Sequence, residues 1–348
     1  MFACISRIWR WEFWPMWLFY APIVPWIAWL SVRYRGFTTI TAANPGIPHG
    51  GFVGESKYQI LSRLSGSNVI ATELINPAPI HQQEQALREI IGRNRWQFPL
   101  ILKPDIGQRG AGVKLVKSLD AAGAYFKDCA LPVIVQPFHP GPYEAGIFYY
   151  RHPDESHGQI FSITDKHFSE LTGDGVSTLE DVIWQHPRYR MQAGRFLKRH
   201  ASERQRVLRT GERFPLVVAG NHCQGTMFRD GSHLITPELT AAIDRIARRF
   251  SGFYFGRFDV RYSDAEQLKA GTDFAIIELN GVTSESTNIY DPEGSLISAY
   301  RTLLRQWSLL FEIAAENRRR GERCSSLGAI LRAVIQHYTT TQADPLSD

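Results

Sequence analysis

GRFDVRYSDAEQLKAGTDFAIIELNG, residues 256–281, holds two strand-like runs, Arg257–Arg261 and Phe274–Asn280, around a polar linker that contains Gly271. Successive side chains of a strand point to opposite faces. Arg257, Asp259 and Arg261 therefore share one face, with Phe258 and Val260 on the other. By the same count Glu278 and Asn280 share a face, with Ala275, Ile277 and Leu279 opposite. Paired as a long-looped hairpin, the two runs gather Asp259, Glu278 and Asn280 into a ring of hard oxygens beside an arginine. Such a ring, completed by phosphate oxygens and water, suits Mg²⁺. A solvated strand face carrying charges is the plainer alternative, but each carboxylate closes an apolar run where a core is expected.

Upstream, residues 98–116 read FPLILKPDIGQRGAGVKLV. An apolar strand ends at Lys103-Pro104, a loop carries Gly107, Gly110 and Gly112, and a second strand follows at Val113–Val116. Glycines let backbone N–H groups approach an anion closely, and Lys103 offers the same phosphates a point charge. No G-K-[ST] closes the loop, so it is not a Walker A sequence, and a strand in place of a helix after it excludes the dinucleotide fingerprint.

A strand ending in Lys-Pro, a glycine-rich hairpin, and far downstream R-x-D and E-x-N strands together resemble the ATP-grasp superfamily. The order and spacing match over roughly residues 96–310. The resemblance implies a mixed α+β and α/β chain with an ATP-grasp fold, two α+β lobes clamping ATP with one or two Mg²⁺ ions (Mn²⁺ being possible). It also implies activation of a carboxylate as an acyl phosphate and transfer to an amine. By resemblance Lys103 holds phosphate oxygens, and Gly107, Gln108, Arg109, Gly110, Ala111 and Gly112 close over the γ-phosphate. Gln136, Pro137 and Phe138 form the hinge where adenine lies, Glu144 resembles the ribose-binding acid, and Lys166 is a second cation for the nucleotide. Asp259, Glu278 and Asn280 are the implied metal ligands. Arg257, with Lys103, is implied to stabilise the transferred phosphoryl group. Arg261, His167, Asn221, His222 and Ser284 are the candidates for substrate contacts.

Two local features point to a branch. Gly173-Asp174-Gly175 precedes a helix opened by Ser177, with Glu180 three residues on, and resembles the amide-ligase branch that includes cyanophycin synthetase. Beyond Asn280, Thr283–Thr287 replaces the proline-bearing turn of D-alanine ligases with hydroxyls and an acid, which speaks against D-alanine as substrate. An ATP-grasp phosphotransferase and a membrane-anchored nucleotide-binding scaffold are the rival readings.

Composition bounds the rest. The 348 residues are 44% hydrophobic and 21% charged, ordinary for a chain with a sizeable core. The net charge of +5 is dispersed, so no nucleic-acid partner is expected. Four separated cysteines form no C-x-x-C pair, which fits a reducing compartment. Phe13 to Val32 is a 20-residue run without charge that holds several of the chain's nine tryptophans, flanked by Arg7, Arg10, Arg33 and Arg35. Its length and belt suit membrane association on the cytoplasmic side. Pro15, Pro22 and Pro25 favour a kinked, re-entrant or interfacial anchor over a straight helix, and a buried aromatic segment is the alternative. The expected domains are 1–36, membrane-associating; 37–95, a small N-terminal α/β unit; 96–312, the clamp, divided at 140/141; and 313–348, a helical extension and tail. Small-molecule or lipid-linked acids and amines are the expected partners, and an oligomer is compatible.

Overall fold

The computed structural model describes residues 10–64, 66–107, 112–217, 220–222 and 225–341. Gln108, Arg109, Gly110 and Ala111 of the glycine-rich loop fall outside these residues.

The prolines of the N-terminal run set where its helices begin. Pro15 caps helix α1 (Met16–Tyr20), Pro22 lies in the turn, and Pro25 stands in the first turn of helix α2 (Val24–Arg33). A proline is tolerated there because the first-turn N–H groups have no helical acceptor. No helix among the described residues is long and apolar enough to cross a membrane. One side of the segment is buried on the body of the protein. Phe19 and Ile23 pack with Ile289, Ala299 and Leu303, and Leu30 with Phe148, Phe255 and Phe311. Residues 1–36 were expected as a membrane segment separate from the clamp; from residue 10 onward their inner side belongs to its core. A short helix, α3 (Lys57–Arg63), follows.

The first lobe is a four-stranded antiparallel sheet ordered β1-β4-β2-β3. Its strands are β1 (Glu73–Ile75), β2 (Leu100–Pro104), β3 (Lys114–Val116) and β4 (Val133–Pro137). Helices α4 (Ile80–Asn94) and α5 (Leu119–Asp128) cover one face. Leu100 and Leu102 point into the core between sheet and helices, so Ile101 and Lys103 face the other way. Because β1 pairs with β4 and α4 shares this core, residues 73–94 are part of the first lobe and do not form a unit of their own.

The second lobe is a five-stranded antiparallel sheet ordered β11-β10-β5-β6-β9. It is built from β5 (Tyr143–Tyr150), β6 (Gln159–His167), β9 (Met227–Asp230), β10 (Phe255–Tyr262) and β11 (Phe274–Asn280). Between β6 and β9 lies a small satellite, the ribbon β7 (Glu170–Thr172) with β8 (Arg213–Pro215) and helices α6 (Leu179–Gln185) and α7 (Ala193–Arg199), around Leu179, Ile183 and Phe196. Helix α6 begins one residue later than expected. Ser177 is taken by Asp174, so Thr178 is the cap and Asp181 completes the reciprocal box.

One face of the large sheet, with Ile147, Phe258 and Val260, packs on helix α8 (Pro237–Arg249). Helix α9 (Ala265–Lys269) interrupts the β10–β11 linker. The opposite face is divided. Phe148 and Phe255 are covered by helix α10 (Leu296–Arg319) and α2, while Glu144, Lys166, Arg257, Asp259 and Arg261 are left facing the cleft toward the first lobe. Ile313, Ala314 and Asn317 of α10 are buried, so the clamp continues past residue 312. The C-terminal extension is helix α11 (Leu327–Thr341).

Candidate active site

The hairpin reading of β10 and β11 holds in register. Asp259 stands opposite Glu278 and Arg257 opposite Asn280. Strict alternation does not. A bulge between Asp259 and Val260 shifts the pairing, so that Val260 faces Ile276. An extra residue in one strand turns the following side chains over. Phe274, Ile276 and Leu279 are consequently buried in the core, and Ile277, expected opposite Glu278, lies on the cleft side beside it.

At the centre stands a buried charge lattice on three adjacent strands. Lys166 Nζ lies 2.8 Å from Glu144 Oε1 and 3.1 Å from Asp259 Oδ1. Arg257 donates from Nε to Asp259 Oδ1 at 3.0 Å and from Nη2 to Oδ2 at 3.3 Å, and its Nη1 reaches the Glu285 carbonyl at 3.0 Å. Burial opposes charge on each group, but the partners outweigh it. Asp259 is held below the usual carboxylate range, overcoming desolvation, by Arg257 and then Lys166. Lys166 is raised by Asp259 and Glu144 against the same desolvation. Gly146 makes the lattice possible, since a Cβ there would sit 3.0 Å from Arg257 Cδ and 3.3 Å from Asp259 Oδ1.

Across the cleft, Lys103 of β2 is 6% exposed and donates to the Ile277 carbonyl at 3.0 Å. Burial lowers its pKa to about 8, with Glu278 opposing that shift and Lys57 adding to it. This one hydrogen bond ties the first lobe to β11 beside the Asp259–Glu278 pair. Gln136 is buried at the hinge and donates to Thr72 at 2.9 Å, while Pro137 and Phe138 line the cavity. Arg261 lies between the Phe138 and Phe168 rings, 5.2 and 5.6 Å from their centroids, and 3.9 Å from Glu144.

These groups line one cavity of about 970 Å³, at the upper end of the range for small-molecule sites. Gly107, Asn221, His222 and Ser284 also line it. His167 does not. The alternation of β6 that turns Lys166 inward turns His167 out, where it pairs with Asp165 at 2.9 Å and is half exposed. Where the two sheets face each other, Lys57, Lys103, Lys166, Arg257 and Arg261 outnumber Glu144, Asp259 and Glu278. Burial pushes the carboxyls of Glu55 and Glu285 above the usual carboxylate range. The balance favours a polyanion.

The donor set fits an oxygen-seeking divalent cation held partly by that polyanion. Among the described residues no group of three acidic, histidine or cysteine side chains is placed to hold a metal alone. Asp259, Glu278 and the Asn280 amide share one face, and the Asn280 amide reaches Asp259 Oδ2 at 3.4 Å.

Three contributors were not legible as site residues. Lys57 of α3 approaches Glu278 at 3.7 Å. Tyr20 of α1 donates to Glu285. Glu12, itself buried, accepts from Arg188 and lies 3.4 Å from His222. These two partners, His222 first, lower its pKa against the desolvation that raises it. A signal for Glu12 existed, since it is the only acid in the first 54 residues. No local pattern could point Lys57 at β11 or Tyr20 at the loop that follows it.

No protein-family model and no curated protein matches the chain. Solved structures do. The chain is similar to the D-alanine–D-alanine ligase of Bacillus anthracis, with a TM-score of 0.42 and 12% identity over 77% of this chain and 68% of that one. It is similar to the bifunctional glutathione synthetase of Pasteurella multocida, with a TM-score of 0.39 and 14% identity over 72% of this chain and 36% of the synthetase. With the ATP-grasp ligase PsnB the TM-score is 0.36 and the identity 15%, over 65% and 51%. The chain thus spans roughly a third to two thirds of the length of these proteins. Overlaps this shallow say nothing about substrate; the chemistry has to be read from the side chains and their distances.

Proposed function

We propose that the chain is an ATP-dependent ligase that activates a substrate carboxylate with MgATP and joins it to an amine. The observation that carries this reading is the meeting, in one cavity, of Lys103 from the first sheet with Lys166, Arg257, Asp259, Glu278 and Asn280 from the second. Two lobes that each contribute cations to one cleft suit a chain of phosphates, and the acids on the second lobe suit the cation that accompanies it.

In this reading Lys103 and Lys166 hold phosphate oxygens, and Arg257 faces the transferred phosphoryl group. Asp259, Glu278 and Asn280 would hold Mg²⁺, which supplies neutralisation of the charge that develops on the phosphates. The substrate carboxylate attacks the γ-phosphorus, ADP leaves, and an acyl phosphate results. The amine nitrogen then attacks the acyl carbon, loses its proton and expels phosphate. Positioning and charge stabilisation supply most of the acceleration. His222, Asn221 and Ser284, which line the same cavity, are where the acid and amine would lie, small or lipid-linked. The need for ATP puts the reaction on the cytoplasmic side.

A screen of acids and amines for ADP release tests the reading. Asp259→Asn and Glu278→Gln should each lower release about a hundredfold or more while far-ultraviolet circular dichroism is unchanged. Unimpaired release by either variant rejects the metal assignment. A stable phosphorylated product formed without amine would replace the ligase with a phosphotransferase.

A further inference from the structure

We propose that the outer side of residues 16–37 seats the protein in the surface layer of an anionic lipid bilayer. The inner side of this segment is core, and a helix with one buried side normally turns polar residues outward. Here the outward residues are apolar. Trp17 is 74% exposed and Val32 81%, and Val24, Trp29 and Phe37 are also exposed. Ala21, Pro22, Pro25 and Ala28 fill the same side, and no charged residue interrupts the run from Phe13 to Val32. A contiguous exposed apolar patch of this kind marks an interaction surface.

Charge and shape select lipid as the occupant. No acidic residue occurs between Glu12 and Glu55, whereas Arg33 and Arg35 stand exposed at one end of the patch. The Arg33 guanidinium lies 5.2 Å from the Trp29 ring, a cation held over an aromatic face at the rim. An apolar body with a cationic rim, on a segment that carries no acid of its own, complements anionic headgroups over acyl chains. Tryptophan favours that boundary because its ring is apolar and its N–H is polar. The ten residues of α2 reach only about 15 Å, half of a bilayer core, so the segment lies in the plane of the surface.

Helix α1 has the bilayer side and the cavity side on one turn of chain, with Trp17 outward and Phe19 and Tyr20 lining the cavity. A lipid-anchored acid or amine would then reach Arg257 without leaving the membrane surface. This consequence rests on the ligase reading; the docking itself does not.

The experiment is flotation of the full chain with vesicles of phosphatidylcholine alone and of phosphatidylcholine with phosphatidylglycerol, without nucleotide. The parent should bind the anionic vesicles about tenfold more tightly than the neutral ones. Trp17→Ser combined with Val32→Ser should lose about tenfold or more on both. Arg33→Gln with Arg35→Gln should lose the preference for anionic lipid. All four side chains are exposed, and unchanged thermal melts confirm the fold. Absence of parent flotation on either vesicle, or variants that float like the parent, overturns the proposal. A parent dimer in light scattering that the apolar double variant dissolves would assign the face to a second copy instead. Flotation can fail while ADP release stands, and the reverse, so the two readings fall separately.

Discussion

The two lobes each bury one lysine against the cleft, and they treat it in opposite ways. Lys166 of the second lobe sits within 3.1 Å of two carboxylates, and its charge is reinforced. Lys103 of the first lobe has one carbonyl at 3.0 Å and, among the described residues, no carboxylate in contact, and burial lowers its pKa to about 8. Glu144, Lys166, Arg257 and Asp259 of the second lobe therefore form a lattice of mutually paired charges. The first lobe holds a buried cation that the carboxylates across the cleft, Glu278 first, compensate only in part. A preorganised half and an unsatisfied half are what a clamp needs if closing is to depend on the nucleotide.

The sharpest way to break this contrast is to remove each lysine. Lys166→Met leaves Glu144 and Asp259 buried with only Arg257 and Arg261 near them, and unfolding stability should fall by about 3 to 5 kcal/mol, read from urea transitions. In Lys103→Met two terms offset. A penalised buried charge disappears, and the Ile277 carbonyl loses its donor, so stability should change by less than about 1 kcal/mol. ATP affinity, by contrast, should fall about tenfold or more by titration calorimetry. Equal stability losses in the two variants would refute the distinction.

The pH dependence sharpens it. The folded pKa of Lys103, about 8, lies below its unfolded value of 10.5. Between these limits the unfolded chain binds more proton, so the contribution of Lys103 to stability rises with pH. The difference between parent and Lys103→Met should shift in favour of the parent from about pH 8 to about pH 10.5, and stay constant below. Because phosphates require the charged lysine, ATP binding near pH 8 to 9 should also take up a proton, seen as a buffer-dependent heat that the variant lacks. The smallest effect is expected from Lys57→Ala. Its 3.7 Å contact with the partly exposed Glu278 should be worth under about 1 kcal/mol in ATP affinity.

How much of this was legible follows from the range of each interaction. The faces of β10, with Arg257 and Asp259 on one side and Phe258 and Val260 on the other, follow from the two-residue period of a strand alone. The Gln136–Phe138 hinge, by contrast, was expected from the family resemblance and not from any period. Ile277 and His167 were misplaced for opposite reasons. A bulge that depends on the partner strand moved Ile277 in, and ordinary alternation along β6 carried His167 out. The 20-residue uncharged run gave length and prolines, and both readings of it had physical grounds. Burial of Phe19, Ile23 and Leu30 on α10 excludes a free anchor, and the apolar outer side is what the proposed lipid docking rests on.

The sequence by itself determined which residues share a strand face: the lysine before the glycine loop, the R-x-D strand and the E-x-N strand, all set by periods of a few residues. Only the tertiary structure decided their partners. Lys166 reaches Asp259, Lys57 reaches Glu278, Tyr20 reaches Glu285 and Glu12 reaches His222 because sheet order and the docking of the N-terminal segment bring distant stretches together. Hydrogen bonds and ion pairs act over a few ångströms of space, and spacing along the chain carries no record of those distances.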